Sequence, residues 1–428
     1  MSAPDRGRWL APLLVCHECG LAQIQRALPA PGLVLCARCR AVLRRVVPGS
    51  VTRAVHLYLA ALVLFVTANL HPFLAFGLEG RGQVVVLASG VARLWREGMP
   101  LLACIVLGAS LLFPAAKMLA TLWALGPLLM RLRLPGQVFA LRLADELRAW
   151  AMLDVFLLAV IVAWVKLADL ATLEPGPGLW AFLAALLLAT AADATLDHHD
   201  VWERFGPQAT LARIDPRAGR PVGCRACGQV TVLRRGRKRA SCPRCGGPVH
   251  LPDREAIARA WAFLLAALAF YLPANLLPVM TVTSLGRAEP TTILGGVVLL
   301  IRLHMYPVAA VVFTASVLVP IFKFLALGLL LVTGRRGIPW RRQERTLLYR
   351  AVEFVGRWSM VDVFVVALLV ALVDMGALAT IEAGAGITAF ASTVILTMLA
   401  SASFDPRLIW QERPPIGQER IPAGQAGR

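Results

Sequence analysis

The feature that most constrains this chain is an internal duplication. Short motifs return in the same order about 207 residues later, among them Asn-Leu-x-Pro, Pro-x-x-Lys and Trp-x-Met-x-Asp-Val-Phe. The last of these spans residues 150–156 and returns at 358–364. A register kept over so many motifs predicts two structural copies of one unit.

Each copy carries four long apolar segments, and 58% of the 428 residues are hydrophobic. Each segment is long enough to cross about 30 Å of hydrocarbon as a helix. Burying so many apolar helices in a water-soluble fold would need a far larger core, so we expect an all-α polytopic membrane protein with about eight transmembrane helices. The predicted spans are 53–76, 99–127, 150–172 and 178–197 in the first copy, and 258–281, 304–333, 358–381 and 386–404 in the second. Shorter stretches at 84–95 and 292–303 are expected to lie at the membrane surface or to re-enter it.

The distribution of arginine predicts the orientation. Arginine is frequent in the predicted loops 131–149 and 334–357, in 198–256 and in the C-terminal tail, whereas the turns near Glu174 and Glu382 carry no Lys or Arg. The positive-inside rule therefore places both termini and the linker in the cytosol. An even number of spans gives both copies one orientation, related by a pseudo-two-fold axis along the membrane normal.

Eight of the nine cysteines form four Cys-x-x-Cys pairs, which group into two sets. The sets are Cys16, Cys19, Cys36 and Cys39, and Cys224, Cys227, Cys242 and Cys245. Two such pairs, separated by sixteen or fourteen residues, can surround one Zn²⁺ ion tetrahedrally in a zinc ribbon. Iron could replace zinc in a Cys₄ site. Disulfides are disfavoured in the reducing cytosol, and a closed Cys₄ site is structural rather than catalytic.

Glycines follow three of these pairs, where a metal-binding turn often needs a left-handed residue. They are Gly20, Gly228 and Gly246. The ninth cysteine, Cys104, stands alone in an apolar helix and is expected to be a small core residue.

The chain therefore divides into five parts. We expect a first cytosolic ribbon, a four-helix bundle, a linker with the second ribbon, a second four-helix bundle and a disordered cytosolic tail. Their predicted bounds are 1–50, 51–205, 206–256, 257–410 and 411–428.

Ionisable side chains recur at equivalent places inside the predicted spans, where charge is costly and often functional. Lys117 and Lys323 each lie three residues after a proline that should kink the second helix. Asp154 and Asp362 begin the third helices. Their heights predict a Lys–Asp pair in each bundle, which is either a structural bridge or part of a functional site.

Other intramembrane polar residues follow the duplication only in part. Asn69 and Asn275 end the first helices before a proline, where the amide can satisfy unpaired carbonyls. Lys166 is matched by Asp374, and Asp193 by Ser401. The two bundles thus share a scaffold but differ in polar content, so one half is expected to carry the transport chemistry.

Catalytic motifs are absent from the sequence. It shows neither a nucleophile with a histidine partner nor a glycine-rich Walker loop, so we predict no enzymatic activity and an energy source elsewhere.

These motifs together resemble the paraquat-inducible protein A family. The resemblance covers nearly the whole chain and includes Phe404-Asp405-Pro406-Arg407-Leu408-Ile409-Trp410 after the last helix, a motif from which the first copy departs. It implies an inner-membrane protein of a Gram-negative bacterium that moves phospholipid to or from a periplasmic MCE-domain protein, itself a lipid-conducting tube. Lys117 and Lys323 would then hold a lipid phosphate or relay protons.

Three alternatives remain open at this point. The first is a structural anchor that assembles an MCE partner without transporting lipid. The second is a membrane thiol-redox protein that uses the Cys-x-x-Cys pairs. A net charge of +19 also permits nucleic-acid binding, but attraction of the basic linker residues 234–239 to anionic lipid explains the charge more simply.

Overall fold

The fold is taken from a computed structural model, which describes most of the chain. The described residues are 13–24, 32–78, 81–167, 172–206, 219–234, 236–253, 255–284, 287–302, 304–338, 340–372 and 379–411. The predicted disordered tail therefore lies, apart from Gln411, outside the described residues.

The first copy, called repeat 1, starts with two β-hairpins that carry the first cysteine set and continues into the helices. Its elements are β1 Leu13–Val15, β2 Ala22–Ile24, β3 Gly32–Leu35, β4 Val42–Val46, α1 Ser50–Leu70, β5 Leu74–Leu78, β6 Arg81–Val85, α2 Leu87–Arg96, α3 Pro100–Leu107, α4 Phe113–Leu129, α5 Gln137–Leu147, α6 Leu153–Leu167, β7 Thr172–Pro175, α7 Pro177–Thr195 and α8 His198–Phe205.

The second copy, repeat 2, has the same element order and ends in a 3₁₀ turn. Its elements are β8 Gly219–Gly223, β9 Val230–Arg234, β10 Arg239–Ser241, β11 Pro248–His250, α9 Glu255–Leu276, β12 Met280–Ser284, β13 Arg287–Thr291, α10 Ile293–Arg302, α11 Tyr306–Phe313, α12 Val319–Arg336, α13 Arg342–Trp358, α14 Val361–Leu372, β14 Ala379–Ala383, α15 Ala385–Ser403 and the turn Pro406–Trp410. The predicted duplication is confirmed at the level of structure.

The ends of the first and third predicted spans were wrong. The first helices end at Leu70 and Leu276 rather than at 76 and 281, because a proline follows and the chain then pairs as a strand. Each repeat forms a three-stranded antiparallel sheet, in the orders β6-β5-β7 and β13-β12-β14. Strands β5, β12 and β14 of these sheets include residues that were predicted to be helical.

Six helical segments in the described parts are long and apolar enough to cross a membrane. The π-interrupted pairs α3–α4 and α11–α12 each count as one of the six. The third helix of repeat 1, α6, has 15 residues and spans about 22 Å. The count of eight spans therefore stays a prediction.

Two predicted loops are helices. The segments around 131–149 and 334–357 contain α5 and α13. In α13 the buried residues Arg345, Tyr349, Val352 and Gly356 recur with helical period. The many arginines of these segments concealed that period. The two stretches near 84–95 and 292–303 form helices α2 and α10.

In the second helix of each repeat, a π-helical turn precedes the equivalent prolines Pro114 and Pro320. Gly108–Leu112 and Thr314–Leu318 have this wider winding, in which the amide of Phe113 bonds the carbonyl of Gly108, five residues earlier. Because proline has no N–H and crowds the preceding turn, a wider turn accommodates it without ending the helix.

Small residues allow the first and last helices of each repeat to pack closely. Alanines every seven residues on α1 and α9 are fully buried where these helices meet α7 and α15. They are Ala54, Ala61 and Ala68, and Ala260, Ala267 and Ala274.

The two repeats meet through their third helices, α6 and α14. The rings of Phe156 and Phe364, equivalent residues of the two copies, lie 5.5 Å apart. A contact between equivalent residues is what a two-fold relation produces, and it agrees with the predicted arrangement of the repeats.

Candidate functional site

The eight paired cysteines form two buried tetrads. In each tetrad the four sulfur atoms lie within 4.8 Å of one another. The nearest sulfur pairs are 3.4 to 3.5 Å apart. Four thiolates at about 2.3 Å from one Zn²⁺ ion would be about 3.8 Å apart, so the tetrads fit a tetrahedral metal ion.

The turns that present these thiolates are alike in all four pairs. The residue after the second cysteine has φ of 70° at Gly20, 57° at Arg40, 68° at Gly228 and 70° at Gly246. Its amide donates to the carbonyl of the first cysteine, as Gly20 does to Cys16 over 2.9 Å. The predicted left-handed glycines are confirmed, and Arg40 takes the same conformation at the fourth turn.

The ribbons dock crosswise on the bundles. Arg350 of α13, in repeat 2, donates to the carboxylate of Glu18 over 2.5 Å and to the carbonyl of Cys39 over 2.9 Å. The ring of Trp410, also in repeat 2, stacks 5.3 Å from the guanidinium of Arg38. Conversely, Arg142 of repeat 1 donates to the carbonyl of Cys245 over 3.5 Å. Each tetrad therefore contacts the other repeat, while each ribbon also pairs with its own repeat, through Arg44 and Glu203 in the first and through Arg225 and Asp405 in the second.

Repeat 1 holds an ion-pair cluster centred on Asp193 of α7. Lys117 of α4 forms an ion pair with this carboxylate, and the hydroxyl of Tyr58 in α1 donates to it over 2.5 Å. Arg148, just after α5, approaches the same carboxylate to 3.4 Å. Two cations and one hydroxyl, from three segments, thus bind one carboxylate inside the bundle.

The cluster continues toward the ribbon side. A nitrogen of Arg148 lies 2.7 Å from Nε2 of His198, whose Nδ1 lies 3.4 Å from Asp145. Burial lowers the pKa of His198 to about 4, so its ring is neutral near pH 7 and can accept from Arg148. Burial also raises the pKa of Asp145 to about 6.

Repeat 2 lacks this cluster. Lys323 is only 1% exposed, and its ammonium donates to the hydroxyl of Thr397 over 2.5 Å. At the positions equivalent to Tyr58, Arg148 and Asp193 stand Leu264, Gly356 and Ser401. No carboxylate of the described residues forms an ion pair with Lys323.

The predicted pairing of these lysines with Asp154 and Asp362 was wrong. Lys117 pairs with Asp193 instead of Asp154, and Asp362 accepts a hydrogen bond from the hydroxyl of Ser316. The prediction compared heights along the helices but not their neighbours. The third helix packs on the third helix of the other repeat, whereas α4 packs on α1, which lies beside α7.

The remaining predicted polar residues do not join a shared site. The side-chain amides of Asn69 and Asn275 donate to carbonyls four residues earlier in their own helices, over 2.7 and 2.9 Å. Lys166 lies in the last turn of α6, but its side chain is outside the described part of the structure. Asp374 lies wholly outside the described residues.

Three cavities lie at the junction of the two repeats. The apolar chamber, of about 490 Å³, is lined by Cys104, Ile105, Ala109, Phe113, Leu143, Glu146, Leu147, Trp150, Met152, Met360, Ile395 and Met398. The charged chamber, of about 500 Å³, is lined by Asp145, Arg148, Ala149, Trp150, Arg350, Glu353, Phe354, Gly356, Arg357, Met398, Ser401 and Ala402. Cys104 is exposed in the apolar chamber, so its expected place in the core was wrong.

The third cavity, here the inner chamber, reaches the Asp193 cluster. Its volume is about 340 Å³, and it is lined by Tyr58, Pro114, Lys117, Met118, Arg148, Ala151, Leu153, Asp154, Leu186, Ala189, Thr190, Asp193 and Arg357. It shares Arg148 and Arg357 with the charged chamber, which in turn shares Trp150 and Met398 with the apolar one. The three chambers therefore adjoin in sequence, from apolar to ionic.

Together these features define a duplicated polytopic membrane protein with two Cys₄ metal-binding sites on one side and an amphipathic cleft between its repeats. The chain belongs to the paraquat-inducible protein A family, whose sequence model matches residues 51–206 and 257–413.

Named relatives match almost the full chain. It is 33% identical to the intermembrane transport protein PqiA of Escherichia coli (strain K12), over 95% of this chain and 97% of that protein. It is 32% identical to lipophilic envelope-spanning tunnel protein A of the same strain, over 92% and 90%. A probable intermembrane transport protein of Haemophilus influenzae (strain ATCC 51907 / DSM 11121 / KW20 / Rd) is 30% identical, over 93% and 96%. No solved structure gives a significant match.

These names are those of transport proteins rather than enzymes. The chain is thus similar, over nearly its full length, to proteins that are named for intermembrane transport.

Sequence reasoning missed most of the cluster in repeat 1. Tyr58 and His198 carry no distinctive motif, and Arg148 was read only as an orientation signal. The available signal was Asp193, an acidic residue in an apolar helix with no counterpart in repeat 2.

Proposed function

We propose that this protein is an inner-membrane component of an intermembrane phospholipid transport system, and that the lipid occupies the cleft between its repeats. The observation that carries the proposal is the series of adjoining chambers, apolar at one end and ionic at the other. A phospholipid has the same division between acyl chains and headgroup.

The apolar chamber suits acyl chains. Three methionines line it, Met152, Met360 and Met398, and their flexible, unbranched side chains adapt to ligands of variable shape. The first two are equivalent residues of the two repeats, so both copies contribute to one wall.

The charged chamber suits a phosphate. Arg148, Arg350 and Arg357 converge on it from both repeats. Arginine presents planar donors that match phosphate oxygens. Asp145 and Glu353 balance this charge and keep the empty cleft from being strongly cationic.

We place the ribbons, the linker and both termini in the cytosol, because arginine-rich segments flank the helices on that side. The two three-stranded sheets follow the opposite ends of α1 and α9, so they would face the periplasm. There they are the surfaces on which a periplasmic MCE-domain protein would dock and exchange lipid. Each tetrad would hold a structural Zn²⁺ that keeps its ribbon folded. The five predicted parts of the chain would then be two folded ribbons, each followed by a bundle, and a tail.

Photocrosslinking in cells tests the lipid path. A photoreactive residue at Met398, in the cleft, is compared with one at Leu187, which is 62% exposed on the outside of α7. We expect phospholipid adducts at both positions, and we expect only those at Met398 to fall when Arg148 and Arg357 are changed to Gln.

Adducts at Leu187 alone would contradict a lipid path through the cleft. That outcome would favour the anchor function, in which the protein only assembles its periplasmic partner. It would return the buried charges to a structural role.

A further inference from the structure

We propose that the inner chamber of repeat 1 is a binding site for a zwitterionic, ammonium-bearing phospholipid headgroup of the phosphatidylethanolamine class. Asp154 would accept the ammonium, and Arg148 and Arg357 would hold the phosphate. This inference rests on the proposed function and names the substrate class of its cleft.

Asp154 is the first observation. Its side chain is exposed and lines the inner chamber, and within the described residues no hydrogen bond or ion pair reaches its carboxylate. It is the second residue of α6, where the helix dipole favours an anion. Because this carboxylate is accessible from the chamber, a ligand ammonium can reach it and form a charge-assisted hydrogen bond with it.

The second observation is that Asp193, the other carboxylate of the chamber, already has its partners. That carboxylate already receives Lys117, Tyr58 and Arg148, so two cations balance its charge and a ligand cation would gain little there. Of the two carboxylates in the chamber, only Asp154 is available.

The cations are the third observation. Arg148 and Arg357 stand where the inner and charged chambers adjoin, and they come from different repeats. A headgroup that crosses this boundary would place its phosphate between the two guanidinium groups and its ammonium deeper, toward Asp154. An anionic glycerol headgroup would fill the phosphate position but offer Asp154 only neutral hydroxyl donors, which bind a carboxylate more weakly than an ammonium does.

Repeat 2 supplies the internal comparison. Asp362, the equivalent of Asp154, accepts a hydrogen bond from Ser316 and lines a separate cavity of only about 50 Å³. The shared Trp-x-Met-x-Asp-Val-Phe motif therefore does not by itself require an open carboxylate. The carboxylate that selects the ammonium would therefore come from repeat 1 alone.

The test uses the full-length protein in vesicles of phosphatidylethanolamine and phosphatidylglycerol in equal amounts. A photoreactive residue at Met398 captures the bound lipid, and mass spectrometry gives the ratio of the two headgroups among the adducts. We expect the wild-type protein to be enriched in phosphatidylethanolamine. Asp154→Asn should lower the ratio about tenfold, as expected for one charge-assisted hydrogen bond. The matched control Asp362→Asn should leave it unchanged, and Asp154→Glu should retain the enrichment.

Several outcomes would overturn the inference. A wild-type ratio of one would do so without any variant, as would a ratio that Asp154→Asn leaves unchanged or that Asp362→Asn lowers equally. In those cases the adducts themselves would still support lipid in the cleft. If no phospholipid is captured at Met398, the proposed function fails as well.

Discussion

The two intramembrane lysines should respond oppositely to the same substitution. Lys117 forms an ion pair with Asp193, whereas Lys323, almost fully buried, has the hydroxyl of Thr397 as its hydrogen-bond partner among the described residues. Replacing each lysine by methionine keeps an unbranched side chain of nearly the same length and removes its charge. The two variants are matched, because they change equivalent positions of the two repeats.

The magnitudes follow from what each substitution leaves behind. Removing one member of a buried ion pair costs about 3–5 kcal/mol, because the other charge stays buried. Asp193 is 28% exposed and keeps Arg148 at 3.4 Å. We therefore expect Lys117→Met to lower the free energy of unfolding by about 2 kcal/mol, below that range. Lys323→Met removes a desolvated ammonium and strands no carboxylate, so it should be neutral or stabilising by up to about 2 kcal/mol.

Unfolding of the full-length protein by SDS in mixed micelles measures both effects. A double-mutant cycle with Asp193→Asn isolates the ion pair, and we expect a coupling energy of about 1 kcal/mol or more between Lys117 and Asp193. The reasoning is refuted if Lys323→Met destabilises as much as Lys117→Met, or if the cycle shows no coupling.

Three further predictions concern the ribbons, pH and backbone packing. Cys36→Ser should reduce bound metal from two ions per chain to one, since only one tetrad loses a ligand. Elemental analysis of the purified protein measures this ratio, and a metal content equal to that of the wild type would contradict the prediction. Burial lowers the pKa of His198 to about 4 and raises that of Asp145 to about 6. As the pH falls from about 6 to about 4, protonation of the histidine favours the unfolded state, whereas protonation of the aspartate favours the folded state, so the two effects oppose each other. Asp145→Asn should therefore make unfolding easier as pH falls from about 6.5 to about 4, by on the order of a few kcal/mol, and a pH profile like that of the wild type would contradict this. Gly176→Ala would place a methyl group 2.2 Å from the carbonyl oxygen of Pro72 and should unfold the connection between β7 and α7, whereas Gly126→Ala, with nothing within 4 Å, should be harmless in the same unfolding assay.

Much of the architecture was predictable because it depends on local patterns. The Cys-x-x-Cys spacing is enough to bring four thiolates together, and the structure groups them as expected. The long apolar runs that form α1, α7, α9 and α15 are helical within a few residues of their predicted bounds at most ends. The duplication transfers each such assignment from one repeat to the other.

The errors occurred where long-range pairing competes with local pattern. Residues 74–78 continue an apolar run, yet they form a strand because β6, the next strand along the chain, and β7, from a distant part of it, pair with them. The arginine-rich segments that become α5 and α13 were assigned to loops, because their apolar face is narrow and is completed only by packing against the bundle and ribbon.

The candidate site divides in the same way. The sequence by itself determined that this is a duplicated membrane protein with two Cys₄ ribbons and costly charges at Lys117, Asp154, Lys323 and Asp362. Only the tertiary structure decided which carboxylate meets Lys117, that each ribbon contacts the opposite repeat, and that three chambers adjoin between the repeats. The physical reason is that periodicity and spacing fix the height of a residue along its helix, whereas its partner depends on which helices become neighbours, and packing across the whole chain sets that choice.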